Sequence, residues 1–392
     1  MKGMQINKSK NRILFIIGTM TIGGAERQLV NLINFIDRIN FKPILFLTRA
    51  KEGEFLKLLK KDIHILTFPE KLNYLKVFLP GLLLFLKSFY ISKIVKRLNI
   101  NIIYSRVDLN NLMAFIAGKF FTKTRLVVCE SSFPSSSFFY HQRKFSFIQK
   151  YLFHYMYNHA DYSIANSIAA RDDLFHFYKL NKNKRVLAIY NSLDFAFIES
   201  KIKNIQSLEF DRNRIVLSFV GRLIKSKGLQ HLFKALLLLN KSKLKCQVLL
   251  VGDGPYRHEL ETLCNDYNIK DQVNFLGFME DPYQVLKKSH IFIFPSLHEG
   301  MPGALIEALI CEVPIIAALS SGGTKEVLQD GELGLLVPPA DPESIARAIE
   351  DVVMHYEDFK KQAISAKIKA KAIFSIEKMV KEYEKIFFSL LQ

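Results

Sequence analysis

Apolar positions along this chain fall into short solid runs, separated by longer stretches where apolar and polar residues recur at helical spacing. The first run, residues 11–18, reads as a strand buried on both faces. Gly23 and Gly24 follow it, then a helical stretch from about Ala25 to Ile36. Residues 42–48, 63–66, 100–104, 125–129, 162–165 and 188–191 repeat the strand signal. Strands alternating with helices in this way predict a parallel, doubly wound sheet. A less regular polar stretch at about 196–212 interrupts the series, which then restarts with strands at 214–220, 247–251, 273–276, 291–294, 314–317 and 333–337. With 392 residues, there is length for two cores. The expectation is an α/β chain of two Rossmann-like domains, 1–200 and 201–374, with an amphipathic helix at about 375–392 packing back onto the first.

One stretch organises the second half. The strand at 291–294 runs into a tight turn with Gly300, Pro302 and Gly303, and good helix formers begin at Ala304. The turn delivers Glu299 and Glu307, eight positions apart, which is more than two helical turns. The two acids are therefore read as lining one crevice at the carboxyl end of the sheet, where open α/β sheets bind ligands. Carboxylates accept hydrogen bonds from hydroxyls, and a helix N-terminus attracts phosphate, so a polyhydroxylated, phosphorylated ligand fits. Two exposed glutamates are ordinarily just solvated surface. Here a second motif stands upstream: Gly221 ends a strand, and Arg222 and Lys227 flank a turn closed by Gly228. Two cations there suit a diphosphate. Gly252 opens a similar turn after the next strand, and Gly23-Gly24 makes an anion-binding corner without a GxGxxG fingerprint.

Charge changes the picture in the first half. Residues 1–200 carry 30 Lys and Arg against 13 Asp and Glu, whereas the rest of the chain is nearly neutral. Such asymmetry points to something anionic facing the first half, a membrane or a polyanion. Residues 72–97 and 138–157 mix Phe, Tyr and Leu with Lys and Arg, as interfacial surfaces do. The apolar run 77–86 is far below the roughly 20 residues a membrane span needs. Cys129, Cys246, Cys264 and Cys311 lack metal-ligand spacing, and the apolar run at the N-terminus is too short for a signal peptide. A cytoplasmic protein, peripheral at the inner face of a membrane, is expected.

These motifs resemble those of glycosyltransferase family 4, the retaining enzymes of the GT-B fold. Glu299 and Glu307 match its Glu-x7-Glu pair, Gly221 to Gly228 its Gly-Arg-Leu-x-x-x-Lys-Gly turn, and Gly23-Gly24-Ala25-Glu26 its N-terminal glycine loop. Asn191-Ser-Leu-Asp194 is similar to its segment before the interdomain linker. The resemblance implies two Rossmann-like domains facing across a cleft, and sugar transfer from a nucleotide donor, UDP-linked in the present reading, to a glycan or polyprenyl-linked acceptor. Neither metal nor other cofactor is implied. Glu299 would hold the donor sugar, Glu307 the ribose, and Arg222 and Lys227 the diphosphate. Gly23, Gly24, Gly221, Gly252, Met301, Gly303 and Ala304 would line the donor. The chain departs from the pattern at Met301-Pro302, where Pro302 offers no N–H, and after the fifth strand, where a His is usual. Glu130 stands there as the candidate acceptor-side catalytic group, with His141 next. A basic, non-catalytic polyanion or membrane binder is the rival reading; two carboxylates in the second-domain crevice would repel a nucleic-acid backbone. A nucleotide-sugar epimerase of the same fold is the other, disfavoured by the intact turn and acid pair.

Overall fold

The computed structural model describes residues 10–21, 23–69, 81–135, 146–203 and 213–392. The first part of the chain holds β1 (Asn11–Ile17), α1 (Gly24–Phe35), β2 (Phe41–Leu47), β3 (His64–Thr67), α2 (Leu82–Arg97), β4 (Ile102–Arg106), α3 (Asp108–Phe115), β5 (Arg125–Glu130), α4 (Ser146–His159), β6 (Tyr162–Ala165), α5 (Ile168–Phe177) and β7 (Val186–Ala188). The strands form one all-parallel sheet in the order β3-β2-β1-β4-β5-β6-β7. Alternate residues of β1 serve opposite faces, as pleating requires. Ile13, Phe15 and Ile17 join one core with α1, while Leu14 and Ile16 join the other with α2, α3 and α4. The last strand spans 186–188 rather than 188–191, because the ladder to β6 pairs Ser163 with Val186 and Ala165 with Ala188. The sequence pattern also gave no sign that α3 continues as a wider, π-type turn over Ile116–Thr122.

The second part holds α6 (Phe195–Lys203), β8 (Ile215–Val220), α7 (Leu229–Lys241), β9 (Cys246–Val251), α8 (Arg257–Asp266), β10 (Val273–Gly277), α9 (Tyr283–Lys288), β11 (Ile291–Phe294), β12 (His298–Glu299), α10 (Gly303–Ile310), β13 (Ile315–Ala318), β14 (Ser321–Gly322), α11 (Thr324–Val327), β15 (Leu335–Val337), α12 (Pro342–Met354), α13 (Tyr356–Phe374) and α14 (Ile376–Leu391). Its main sheet is parallel, in the order β10-β9-β8-β11-β13-β15. Helix α12 begins as its sequence dictates, with Asp341 accepting from the Ser344 amide at 3.0 Å and Pro342 in the first turn.

Two compact units result: residues 1–166, 170–190 and 376–392 form one, and 167–169 with 191–375 the other. The second unit takes in α6, upstream of residue 201, because Ile198 is buried and Lys201 pairs with Asp281 at 2.6 Å. Helix α14 belongs to the first unit. Its buried residues Ile376, Met379, Val380, Tyr383, Ile386, Phe387 and Leu390 recur every three or four positions and complete the core beside Phe15 and Phe41. In each unit the strand order reverses beside its first strand, between β1 and β4 and between β8 and β11. Outside the carboxyl ends of those strand pairs lies the crevice that such sheets offer a ligand.

Candidate active site

In the second unit the loops leaving β8 and β11 are sewn together. Residues Lys225–Lys227 form a single 3-10 turn closed by Gly228, whose φ of +69° favours glycine. A Cβ at Gly228 would strike the Pro295 carbonyl, so glycine is what lets the two loops approach. The Leu297 amide donates to the Ser226 carbonyl at 2.8 Å, and the Ser296 hydroxyl to Glu299 Oε1 at 2.6 Å. Lys227 Nζ then pairs with the same Glu299 Oε1 and sits 5.4 Å from the centre of the Phe294 ring. Residues 72 positions apart thus form one polar unit, with the Lys227 side chain 17% and that of Glu299 13% exposed. Partial burial strengthens their attraction, and a bound anion would compete for Lys227.

The neighbouring turn is built on a second glycine contact. Gly252 has φ +128°, and a Cβ on it would fall on the Gly221 carbonyl. Gly221 N donates to the Val251 carbonyl at 3.0 Å, and Leu223 N to that of Asp253 at 2.9 Å. Arg222 is exposed and forms no ion pair among the described residues. Beyond Glu299, β12 pairs with β14 through His298–Ser321 and Glu299–Gly322. Met301 is buried, its sulfur accepting from the Asn191 amide at 3.1 Å. Pro302 stands before α10 without a side-chain cap, and Gly303 and Ala304 open the helix half-buried. The helix thereby presents its first-turn amides to an anion. Glu307, also half-buried, follows on the same helix.

In the first unit, Gly23 caps α1 and Gly24 has open space where a side chain would stand. Burial raises the carboxyl of Glu26, against its own backbone hydrogen bond and the charges of Arg106 and Arg49. Arg106, at the end of β4, is 3% exposed; its Nε donates to Ser131 Oγ at 2.8 Å and its Nη1 to the Ala25 carbonyl at 3.4 Å. Glu130, ending β5, is equally buried. His141 lies outside the described residues.

The structure therefore joins Lys227 to Glu299 and Gly221 to Gly252, and leaves Glu130 and Gly23-Gly24 in the other unit. Sequence reasoning missed Ser296, Arg106 and Ser131. Ser296 had a signal, since it sits three positions before Glu299 at a strand exit. Arg106 had none, because a single basic residue after an apolar run looks like any surface cation. The pairing of β12 with β14 was not foreseen from the sequence.

Residues 200–370 match the family model described as Glycosyl transferases group 1, and residues 22–197 the one described as Glycosyltransferase Family 4. Among curated relatives, N-acetylgalactosamine-N,N'-diacetylbacillosaminyl-diphospho-undecaprenol 4-alpha-N-acetylgalactosaminyltransferase of Campylobacter jejuni is 30% identical over 374 residues, covering 91% of this chain and 93% of its own. A second enzyme of that organism, GalNAc-alpha-(1->4)-GalNAc-alpha-(1->3)-diNAcBac-PP-undecaprenol alpha-1,4-N-acetyl-D-galactosaminyltransferase, is 30% identical over 377 residues, covering 96% and 98%. Among solved structures, Anabaena Alr3699/HepE in complex with UDP superposes with a TM-score of 0.77 at 22% identity, covering 96% of this chain and 100% of that one. Sucrose-phosphate synthase from Thermosynechococcus elongatus gives 0.78 at 17% identity, covering 97% and 99%.

Proposed function

Since the chain belongs to glycosyltransferase family 4 and has the GT-B architecture, we propose that it transfers an N-acetylhexosamine or hexose from a UDP-linked donor to a polyprenyl-diphosphate-linked glycan, with retention. The enzyme is a glycosyltransferase acting in glycan or lipid-linked sugar transfer; the donor, acceptor and stereochemistry are the present reading. Its carrying observation is the Lys227–Glu299 pair at the switch edge of the second sheet. Departure of the nucleotide develops negative charge on the diphosphate, and Lys227 and Arg222 supply the neutralising cations. Glu299, one carboxylate oxygen shared by Ser296 and Lys227, presents its other to donor-sugar hydroxyls. Glu307 takes the ribose, and the amides of Gly303 and Ala304 face the phosphates. An α product from an α-linked nucleotide sugar is net retention, and both Campylobacter enzymes are named for α linkages. In this reading no metal is required.

The acceptor's lipid places the enzyme at an anionic membrane surface. Phe85 and Phe89 on α2, Phe120 beside it, and Phe147 and Tyr151 on α4 are exposed. Phe121 packs between Phe85 and Phe89 at 5.5 and 5.8 Å, so the first rings form one patch. Lys93, Lys96 and Arg97 continue the exposed side of α2. Residues 138–145, the start of the second aromatic and basic stretch, lie outside the described residues. No helix among the described residues is long and apolar enough to cross a membrane. Each cation near an anionic leaflet contributes roughly 1 kcal/mol, so a few hold the protein reversibly.

Purified protein incubated with UDP-sugars and a polyprenyl-diphosphate saccharide tests the reading. An α-linked product formed in EDTA is expected; a β product removes retention, and loss of turnover in EDTA removes metal independence. Sedimentation with vesicles should require anionic lipid and weaken with salt. Equal binding to neutral vesicles would remove the electrostatic docking.

A further inference from the structure

We propose that Glu130 is a positioning residue, the keystone of the loop after β5, rather than the acid or base of the reaction. Glu130 is 3% exposed. Its Oε1 accepts from the Ser131 amide at 2.9 Å, the Ser132 amide at 2.9 Å and the Ser132 hydroxyl at 2.6 Å. Its Oε2 accepts from the Tyr157 hydroxyl at 2.8 Å. At least four donors converge on one side chain among the described residues, and a carboxylate, an acceptor only, is what suits them. A general base must instead reach the proton it removes, directly or through one water.

The same loop is fastened at its other atoms. The Ser131 hydroxyl accepts from buried Arg106, the Ser131 carbonyl accepts from Asn166 Nδ2 at 3.0 Å, and the Ser135 amide donates to Asp173 at 2.8 Å. Residues 131–135 are thus held from β4, from the residue after β6, from α4 and from α5, at the carboxyl edge of the first sheet. Loops at that edge are where such sheets bind ligands. What the arrangement preserves is a fixed loop conformation, with Glu130 beneath it making the most bonds. That the loop shapes the acceptor side rests on the glycosyltransferase reading above; that Glu130 holds the loop does not.

The experiment separates these claims. Glu130→Gln keeps an acceptor oxygen for the two amides and Ser132, and its amide can donate to the Tyr157 oxygen. Transfer within about threefold of wild type and an unshifted pH–rate profile are expected. Glu130→Ala should raise the acceptor KM and lower kcat/KM by up to about 10²-fold, the scale of a misplaced contact wall, while UDP affinity stays constant. Tyr157→Phe, which removes one of these bonds and leaves the fold, should move in the same direction by less. Hydrogen exchange at the Ser131 and Ser132 amides reads the loop without any acceptor: slow in wild type and Glu130→Gln, faster in Glu130→Ala. Should Glu130→Gln lose 10²-fold or more in kcat, with acceptor KM and amide exchange unchanged, Glu130 is a general acid or base and the proposal fails. Unchanged exchange in Glu130→Ala, or, if that variant does not fold, exchange and acceptor KM both unchanged in Tyr157→Phe, overturns it too. If the acceptor assay gives no product in wild type, the transfer reading fails while the exchange data still decide the loop.

Discussion

The two units share a strand order through their first six strands, yet they treat charge at the switch edge in opposite ways. In the second unit Lys227 and Glu299 meet at strand exits and stay partly accessible, and Arg222 is exposed. In the first, Arg106 and Glu130 are buried at strand ends and both hydrogen-bond the loop after β5. One edge keeps its ionised groups available to a ligand, and the other uses them to fix backbone. A buried charge is tolerated only when its partners are in place, so the first edge should respond to mutation as a framework and the second as chemistry.

The largest effect is expected at Lys227. Lys227→Ala removes the proposed diphosphate cation and, among the described side chains, leaves Glu299 with Ser296, so transfer should fall about 10²–10³-fold. The fold should survive, since only loop contacts are lost, and a normal thermal transition checks that. Wild-type turnover with unaltered UDP affinity would show that the second edge is not chemical. Next come the two acids, where the expected division is kinetic. Glu307→Ala should chiefly raise the donor KM, because the proposed ribose contact would act in ground and transition states alike, and Glu299→Ala should lower kcat as well. The reverse division would exchange their roles.

For the framework edge, Tyr383→Phe is the milder probe. Tyr383 on α14 hydrogen-bonds Tyr104 at 3.3 Å in a buried cluster with Cys129 and Arg106. Burial pushes both tyrosine hydroxyls well up, so they stay protonated as donors. Losing one buried hydrogen bond costs about 0.5–1.5 kcal/mol, a drop of a few degrees in Tm for a unit of this size. UDP affinity should not move. A loss of donor binding without a loss of stability would break the contrast between the edges.

The same contrast explains what could be read from the chain beforehand. The alternation of solid apolar runs with helical stretches gave both sheets, because strands buried on two faces leave no polar positions to blur them. Glu299, Lys227 and the glycines were readable because each sits in a short segment whose neighbours repeat a recognisable turn. The first edge gathers Ala25, Arg106, Glu130, Ser131, Tyr157 and Asn166 from five stretches of chain, and local pattern marks only Ala25, in its glycine loop, and Glu130, after its strand. The fastening of Glu130 is likewise tertiary: Tyr157 is 27 residues away, and nothing at 130 says which hydroxyl will arrive.

The smallest effect on activity is expected far from both edges, at Glu312, which ties three helices of the second unit together. Its carboxylate pairs with Lys287 of α9 at 2.5 Å and Lys367 of α13 at 2.8 Å, directly after α10. Burial alone would raise its carboxyl; hydrogen bonds and charges of the two lysines outweigh that and hold it down at about 2. A carboxylate whose folded value is depressed adds stability that is fully present above its unfolded value, about 4.5, and is lost as pH falls toward 2. Urea midpoints followed from pH 7 to pH 2 should therefore show wild type losing more than Glu312→Gln, with the gap between them widest at neutral pH and closing across that window. Transfer at neutral pH should be unchanged, because Glu312 touches none of the proposed donor residues. Parallel curves for the two proteins would mean that the lysine pairs contribute nothing beyond solvation, and that the second unit is held at this point by its apolar core alone.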